Sequence, residues 1–186
     1  MQIGLLALYL FAYCLFVAAG LYKFQKPHVN FNWLLNYFPL LLTIIMAGLS
    51  FFHWIEVYTP PTQIAGGLHF VGVLLGCVAI ALYSISISAH QRPVPMWHQS
   101  SLPDVLTIRY SYKYIRHPIY TSYMCFFVGA AFAYPSIYML IIMLYGITIL
   151  NITARKEEKQ LMAKFAEQYR AYMKITGRFL PGGFFH

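Results

Sequence analysis

Three short groups of polar residues in the C-terminal half of this chain carry the side chains most able to do chemistry. Residues 116–120 are Arg-His-Pro-Ile-Tyr, two glutamates occupy 157–158, and Arg178 lies near the end of the chain. Guanidinium, imidazole, phenol and carboxylate groups can bind a polar ligand through charge-assisted hydrogen bonds, and the imidazole and carboxylates can also move protons. Three more tyrosines precede the first group, namely Tyr110, Tyr112 and Tyr114. The sequence therefore predicts a binding site rather than a simple membrane anchor.

Cysteine and histidine spacings do not predict a metal site. Cys14, Cys77 and Cys125 occur singly in three different apolar runs, with no CxxC pair, and are interpreted as packing residues. Four histidines form neither an HxxxH nor an HxxHH box: His53, His69, His90 and His98. This spacing argues against a di-iron hydroxylase.

The composition predicts that helices in a membrane position these groups. Of the 186 residues, 60% are hydrophobic and 10% are charged, which leaves too little polar surface to coat a soluble globule. A membrane span needs about 20 apolar residues. Five runs come close to that length, near 3–22, 37–55, 67–88, 118–133 and 136–152. We therefore expect an all-α integral membrane protein with about five transmembrane helices in a single membrane domain over 1–186.

The basic residues predict the orientation of these helices. All thirteen fall within 23–26, 92–116 and 155–178, and the turns near 56–64 and 134–136 contain none. The positive-inside bias then places the N-terminus outside and the C-terminus in the cytoplasm. The net charge of +8 is accounted for by topology and contacts with membrane lipids, so no nucleic-acid partner is expected. The first run lacks a basic n-region and is expected to be a retained helix. The compact chain favours a bacterial or archaeal cell membrane over the endoplasmic reticulum.

Three regions follow along the chain: a helical scaffold over 1–88, an interfacial loop over 89–117, and a hairpin with a lid over 118–186. Only 134–136 separates the last two spans, so they should form a tight hairpin whose other ends bring 116–120 beside 155–158. Four apolar or aromatic residues at helical spacing predict an amphipathic lid helix over that end: Leu161, Phe165, Tyr169 and Tyr172. Adjacent residues of a helix point about 100° apart, so at most one of the two glutamates is expected to face the hairpin partner.

A simpler interpretation of the same residues stays open. Glu157 and Glu158 could be the solvated start of a helix that balances nearby lysines and arginines. His117 could be an interfacial helix cap, which suits Pro118 in the first helical turn.

Taken together, the elements resemble a known family. Arg-His-Pro-x-Tyr at 116–120, the short hairpin, Glu-Glu-x-x-Leu at 157–161, Phe-x-x-x-Tyr-x-x-Tyr at 165–172 and Arg-x-x-Pro at 178–181 resemble the isoprenylcysteine carboxyl methyltransferases. Phospholipid N-methyltransferases are similar in the same region. The resemblance covers 104–183. It implies a membrane methyltransferase that encloses S-adenosyl-L-methionine between its last spans and its C-terminal helix.

The resemblance also implies roles for individual residues. Those expected to contact the cofactor are Tyr112, Arg116, His117, Pro118, Tyr120, Glu157 and Glu158. Arg178 and Arg155 would hold the anionic end of the acceptor, expected to be a prenylated or otherwise lipidic carboxylate. A carboxylate is already ionised and needs no base, whereas a phospholipid amine or a small thiol would need one, for which Glu158 is the candidate.

The sequence departs from this family at three glycines. Tyr110-Ser111-Tyr112 replaces the usual Gly-Pro-Tyr, Ser122 replaces a glycine two residues after Tyr120, and Ala166 replaces the glycine that follows Phe165. Glycine lets the backbone approach a ligand closely, so these three replacements bear on how the cofactor is bound.

Two other classes of protein remain as alternatives. An NADPH-dependent membrane reductase of the sterol-reductase type has a similar C-terminal hairpin, but Glu157 and Glu158 would repel the 2′-phosphate, for which arginine is expected. A non-enzymatic membrane protein that binds lipid or a partner through its basic face would explain the cations but not the paired acids. The identity of the methyl acceptor and the oligomeric state stay open.

Overall fold

The computed structural model describes residue 11 and residues 31–55, 62–90 and 105–182. These residues form four α-helices and one short 3-10 helix, with no β-strand among them. The α-helices are α1 (Phe31–Phe51), α2 (Thr62–Ser88), α3 (Pro118–Ala133) and α4 (Ile137–Ile175), and the 3-10 helix is Tyr110–Lys113. The all-α class is as predicted. The predicted span at 3–22 lies outside the described residues, apart from residue 11.

Two of the helices are long and apolar enough to cross a membrane. They are Ile64–Ser88 and Ile137–Ile175, while Phe38–Phe51 and Pro118–Ala133 are shorter apolar helices. Large apolar side chains are exposed along both long helices, among them Phe70, Leu74, Ile141 and Leu144, as a lipid environment would favour. The membrane class is supported in this way, but the predicted number of five spans is not confirmed.

Helices α2 and α3 pack with their backbones close together. A Cβ atom added to Gly72 would lie 2.8 Å from both the Ala133 nitrogen and the Gly129 carbonyl oxygen. Small residues permit such close approach between membrane helices. Nearer the opposite end of the pair, the rings of Tyr83 and Tyr123 lie 6.0 Å apart.

The predicted hairpin is present, with its turn at 134–136. Helix α3 begins at Pro118, where a proline at the first helical position loses no hydrogen bond, and it ends at Ala133. Helix α4 begins after Ser136, whose hydroxyl accepts a hydrogen bond from the Met139 N–H at 3.1 Å.

Helix α4 does not end near residue 152 as the hydrophobic pattern predicted. It has 39 residues and would be roughly 58 Å long if straight, about twice the hydrocarbon thickness of a bilayer. Its charged part begins at Arg155, so we place the segment from 155 onward outside the membrane-spanning part. Good helix formers continue the helix there, and the only residue within it with non-helical backbone angles is Ala166, with φ 40° and ψ −113°.

After Ala166 the chain packs back onto the residues that precede α3. The segment 167–182, here called the C-terminal segment, forms an isolated parallel bridge between Gly177 and Ile115. Arg116 N–H donates to the Gly177 carbonyl at 2.9 Å, and His117 N–H donates to the Arg178 carbonyl at 3.1 Å. The segment predicted to form a lid is thus the end of α4 itself and packs against residues 112–117.

Candidate functional site

Glu158 lies at the centre of a buried cluster of charges. Arg116 Nε donates to its Oε1 at 2.9 Å, and Arg178 donates to its Oε2 from Nη2 at 2.6 Å and from Nε at 3.0 Å. His117 Nε2 lies 3.5 Å from Oε1. Burial raises the pKa of the Glu158 carboxyl, but interactions with His117, Arg178 and Arg116 lower it by more, so this pKa lies below its usual range. Glu158 is therefore ionised and a poor proton acceptor.

Arg116 also joins the cluster to the end of helix α4. Its Nη1 donates to the carbonyl oxygens of Met173, at 3.3 Å, and of Thr176. Carbonyl groups at a helix C-terminus lack partners within the helix and carry partial negative charge, so a guanidinium is favoured there. One side chain thereby fixes the C-terminal segment to Glu158.

Glu157 forms a second, more accessible part of the cluster. Tyr120 Oη donates to Glu157 Oε1 at 2.5 Å, and His117 Nδ1 lies 3.5 Å from Oε2. The rings of His117 and Tyr120 stack in parallel, with centroids 5.4 Å apart. The Glu157 side chain is 22% exposed, against 7% for Glu158. Of the two carboxylates, Glu157 is the one that a ligand can reach.

His117 is held between the two glutamates. Burial lowers the pKa of its imidazole, while the neighbouring carboxylates of Glu157 and Glu158 raise it by more, so the net effect is a raised pKa. Its Nε2 is buried and makes no hydrogen bond to a described residue. Buried polar atoms are normally paired, so a nitrogen in this position is a candidate ligand contact.

Tyr112 connects the site to helix α2. Its hydroxyl lies 2.9 Å from His90 Nε2, and its carbonyl oxygen accepts a hydrogen bond from Tyr172 Oη at 2.5 Å. Burial raises the pKa of Tyr112, with a further contribution from Glu157, so the phenol stays protonated. The adjacent Ser111 hydroxyl lies 2.9 Å from that of Ser86 on α2, and His90 follows the end of that helix.

The structure brings together most of the residues proposed from the sequence. Tyr112, Arg116, His117, Tyr120, Glu157, Glu158 and Arg178 all take part in the connected contacts above. Pro118 is buried at the first position of α3. Arg155 is exposed and forms no hydrogen bond or ion pair with the described part of the chain, so the structure does not place it in the cluster.

One geometric expectation was wrong. We expected at most one of Glu157 and Glu158 to face the hairpin partner, yet both lie 3.5 Å from His117. The reason is that the His117 ring lies between them, with Nδ1 beside Glu157 and Nε2 beside Glu158. Tyr120 on α3 reaches Glu157, whereas Arg178 in the C-terminal segment reaches Glu158.

Sequence reasoning missed several participants. Asn151 Oδ1 lies 3.4 Å from Arg178 Nη1, and its amide within an otherwise apolar stretch of α4 is the signal that could have identified it. His90 was considered only as a possible metal ligand. Tyr169 was assigned to the lid but not to the site, although it is 1% exposed and its hydroxyl has no hydrogen-bond partner among the described residues.

The arrangement suits binding of a polar, partly cationic ligand better than it suits metal chemistry. The described residues contain no group of three or more metal-ligating side chains. Glu157 offers an accessible carboxylate to an ammonium or to hydroxyl groups, and His117 Nε2 offers a buried nitrogen. Such a site can bind a ligand that carries an ammonium group or hydroxyl groups.

Comparison with known proteins gives an independent finding. A family model described as phospholipid methyltransferase matches residues 62–168, which is more than half of the chain. The match begins in α2 and includes 116–120, the hairpin and both glutamates. The search of curated proteins found no significant match.

Proposed function

This chain belongs to the phospholipid methyltransferase family, which includes the isoprenylcysteine carboxyl methyltransferases, and from this we propose that it transfers a methyl group from S-adenosyl-L-methionine to a membrane-embedded lipidic acceptor. The observation that carries the proposal is the His117–Glu157–Tyr120 group beside the Arg116–Glu158–Arg178 cluster. This arrangement brings residues 116–120 and residues 157–158 together in one partly accessible site. The site lies where the charged part of α4 begins.

The residues divide into binding and framework groups. We assign Glu157, Tyr120, His117 and Tyr112 to the cofactor, because they surround the accessible carboxylate or contact it electrostatically. We assign Arg116 and Glu158 to a clamp that closes the C-terminal segment over the site. Pro118 positions His117 at the start of α3.

The bound cofactor would supply an electrophilic methyl group on a positively charged sulfur. The protein would contribute alignment of the acceptor and exclusion of water, which can provide most of the acceleration of an in-line displacement. His117 and Tyr120 would orient the Glu157 carboxylate, and the C-terminal segment would cover the site.

The protonation states favour a carboxylate as the acceptor, and we propose an isoprenylcysteine-type carboxylate. A carboxylate attacks without losing a proton, and Glu158, the candidate base, is held ionised by two arginines. Arg178 is suited to orient an anionic acceptor, because its side chain is 30% exposed. Arg155, exposed on α4, is at most a more distant contact.

A phospholipid amine is the second candidate, and the description of the matched family favours it. A small thiol is a third. Each would need a base other than Glu158. We further propose that the protein is a multi-pass protein of a bacterial or archaeal cell membrane with its C-terminus in the cytoplasm, on the basis of its charge distribution.

A methyl-transfer assay with an acceptor panel tests this proposal. Detergent-purified protein would be incubated with S-adenosylmethionine labelled in its methyl group and with an S-farnesylated cysteine, phosphatidylethanolamine or a small alkyl thiol. We expect label on the farnesylated cysteine, removed by mild base as a methyl ester would be. Base-stable label on phosphatidylethanolamine would instead identify the amine, not the carboxylate, as the methyl acceptor. No labelled product, together with binding of NADPH by the purified protein, would move the assignment to a reductase.

A further inference from the structure

The hydroxyl group of Tyr169 has no role in the site as described so far. Tyr169 is 1% exposed, and its hydroxyl makes no hydrogen bond with the described part of the chain. A buried hydroxyl without a partner costs about 1–3 kcal/mol, so structures rarely keep one without a reason. Phenylalanine would fill the same space without that cost.

The position of Tyr169 directs this hydroxyl toward the charged cluster. Residues 169, 172 and 173 lie on one face of the helix that follows Ala166, and Thr176 caps the end of that helix. Residues 112–116 are contacted by the Tyr172 hydroxyl and by the Met173 and Thr176 carbonyls. The Tyr169 ring lies 5.9 Å from that of Tyr172, and the charges of Glu158, Arg116 and Glu157 all act on its hydroxyl.

The groups around it have unequal charge. The buried cluster holds two carboxylates, on Glu157 and Glu158, and three groups that can carry positive charge, on Arg116, Arg178 and His117. His117 Nε2 is buried and lies 3.5 Å from Glu158 Oε1. Buried charges are normally balanced, so a protonated His117 leaves a positive surplus that favours an anionic group on the ligand.

We propose that Tyr169 is a ligand-binding residue whose hydroxyl donates a hydrogen bond to a ligand oxyanion. This inference rests on the proposed function. The oxyanion has two possible sources with the same chemistry, the carboxylate of the cofactor or the carboxylate or phosphate of the lipidic acceptor. Tyr172, in contrast, has a structural role because its hydroxyl is already bonded to the Tyr112 carbonyl.

The test compares Tyr169→Phe with Tyr172→Phe, and with Tyr138→Phe as the control at the exposed start of α4. Thermal unfolding of each variant would be followed alone and with S-adenosylhomocysteine, 5′-methylthioadenosine, an S-farnesylated cysteine or phosphatidylethanolamine. Methylthioadenosine lacks the amino-acid carboxylate of the cofactor. Without ligand, Tyr169→Phe should unfold at the wild-type temperature or above it, whereas Tyr172→Phe should unfold lower.

With ligand, Tyr169→Phe should weaken binding of one oxyanion-bearing compound by about tenfold to a hundredfold, as expected for a hydrogen bond to a charged group. Loss confined to S-adenosylhomocysteine identifies the cofactor carboxylate, and loss confined to a lipid identifies the acceptor. Unchanged affinity for every ligand would overturn the inference, as would a ligand-free destabilisation equal to that of Tyr172→Phe. A wild-type protein that no ligand stabilises would instead overturn the proposed function.

Discussion

Replacement of Ala166 by glycine should stabilise this protein. Ala166 has φ 40° and ψ −113°, a conformation that glycine adopts readily and that the Cβ of other residues makes costly. Such strain costs about 1–3 kcal/mol. Glycine also increases the entropy of the unfolded chain, which offsets about 0.5–1 kcal/mol. The middle values of these two ranges give a net gain in the free energy of unfolding of about 1–1.5 kcal/mol.

The assay is thermal unfolding in detergent. For a chain of this size, about 1 kcal/mol shifts the midpoint by about 2–4 °C, so Ala166→Gly should raise it by about 2–6 °C. Ala163→Gly is the matched control, because Ala163 is also exposed in α4 but lies in its regular helical part. There glycine should lower the midpoint by about 2–4 °C, corresponding to its helix propensity of about 1 kcal/mol below alanine.

The opposite signs of the two variants make the prediction refutable. If Ala166→Gly lowers the midpoint as much as Ala163→Gly does, residue 166 is helical in solution. The C-terminal segment could then not turn back at that residue, and the described contacts of Arg116 with Met173 and Thr176 would need another explanation.

Three further predictions concern the cluster and the helix packing. Glu158→Gln should lower the free energy of unfolding by about 3 kcal/mol, because it leaves the charges of Arg116 and Arg178 uncompensated. Glu157→Gln should instead mainly weaken binding of S-adenosylhomocysteine. Equal effects of the two variants on thermal unfolding would contradict this division of roles. The pKa of His117 is raised above 6.5 in the folded protein, so its contribution to stability is complete below pH 6.5 and is lost as the pH rises through the raised pKa. The unfolding midpoint should therefore fall more steeply with rising pH in the wild type than in His117→Gln. Parallel pH profiles of the two proteins would refute this. Gly72→Ala should destabilise the α2–α3 contact by about 1–3 kcal/mol, because the added Cβ would lie 2.8 Å from backbone atoms of α3. Gly67→Ala is the control and should have no such effect, since nothing lies within 4 Å of its added Cβ. Equal unfolding midpoints of the two variants would show that the helices are not in close contact.

The hairpin was predictable from the sequence almost to the residue. The predicted helix at 118–133 is observed as Pro118–Ala133, because Pro118 suits the first turn of a helix and Tyr134-Pro135-Ser136 interrupts the helix at its other end. A short connection forces the two helices that it joins to lie side by side. The proximity of residues 116–120 to residues 157–158 was therefore also predictable from the sequence. The bounds of α1 and α2 were less accurate, since apolar runs without caps do not define where a helix begins.

The course of the chain after residue 152 was not predictable from hydropathy. The polar part of α4 ends the apolar run but not the helix, because lysine, glutamate and arginine are good helix formers. The change of direction depends on a backbone angle at Ala166, and alanine itself gives no sign of a positive φ. The only signal was the departure from a family glycine, and Tyr110, at a second such departure, also has a positive φ of 50°.

The partners of the two glutamates could be found only from the structure. Sequence spacing placed Glu157 and Glu158 near Arg116 and His117, but the distant Arg178 is brought to Glu158 by the bridge between Gly177 and Ile115. Such long-range pairings depend on tertiary packing, which no local pattern encodes.

The most direct test of the central claim is equilibrium binding of radiolabelled S-adenosylhomocysteine to the purified protein, with and without excess NADPH, in wild type and Glu157→Gln. The account predicts saturable binding at one site per chain, unaffected by NADPH and weakened in the variant. Absence of saturable binding, or displacement of the label by NADPH, would contradict it.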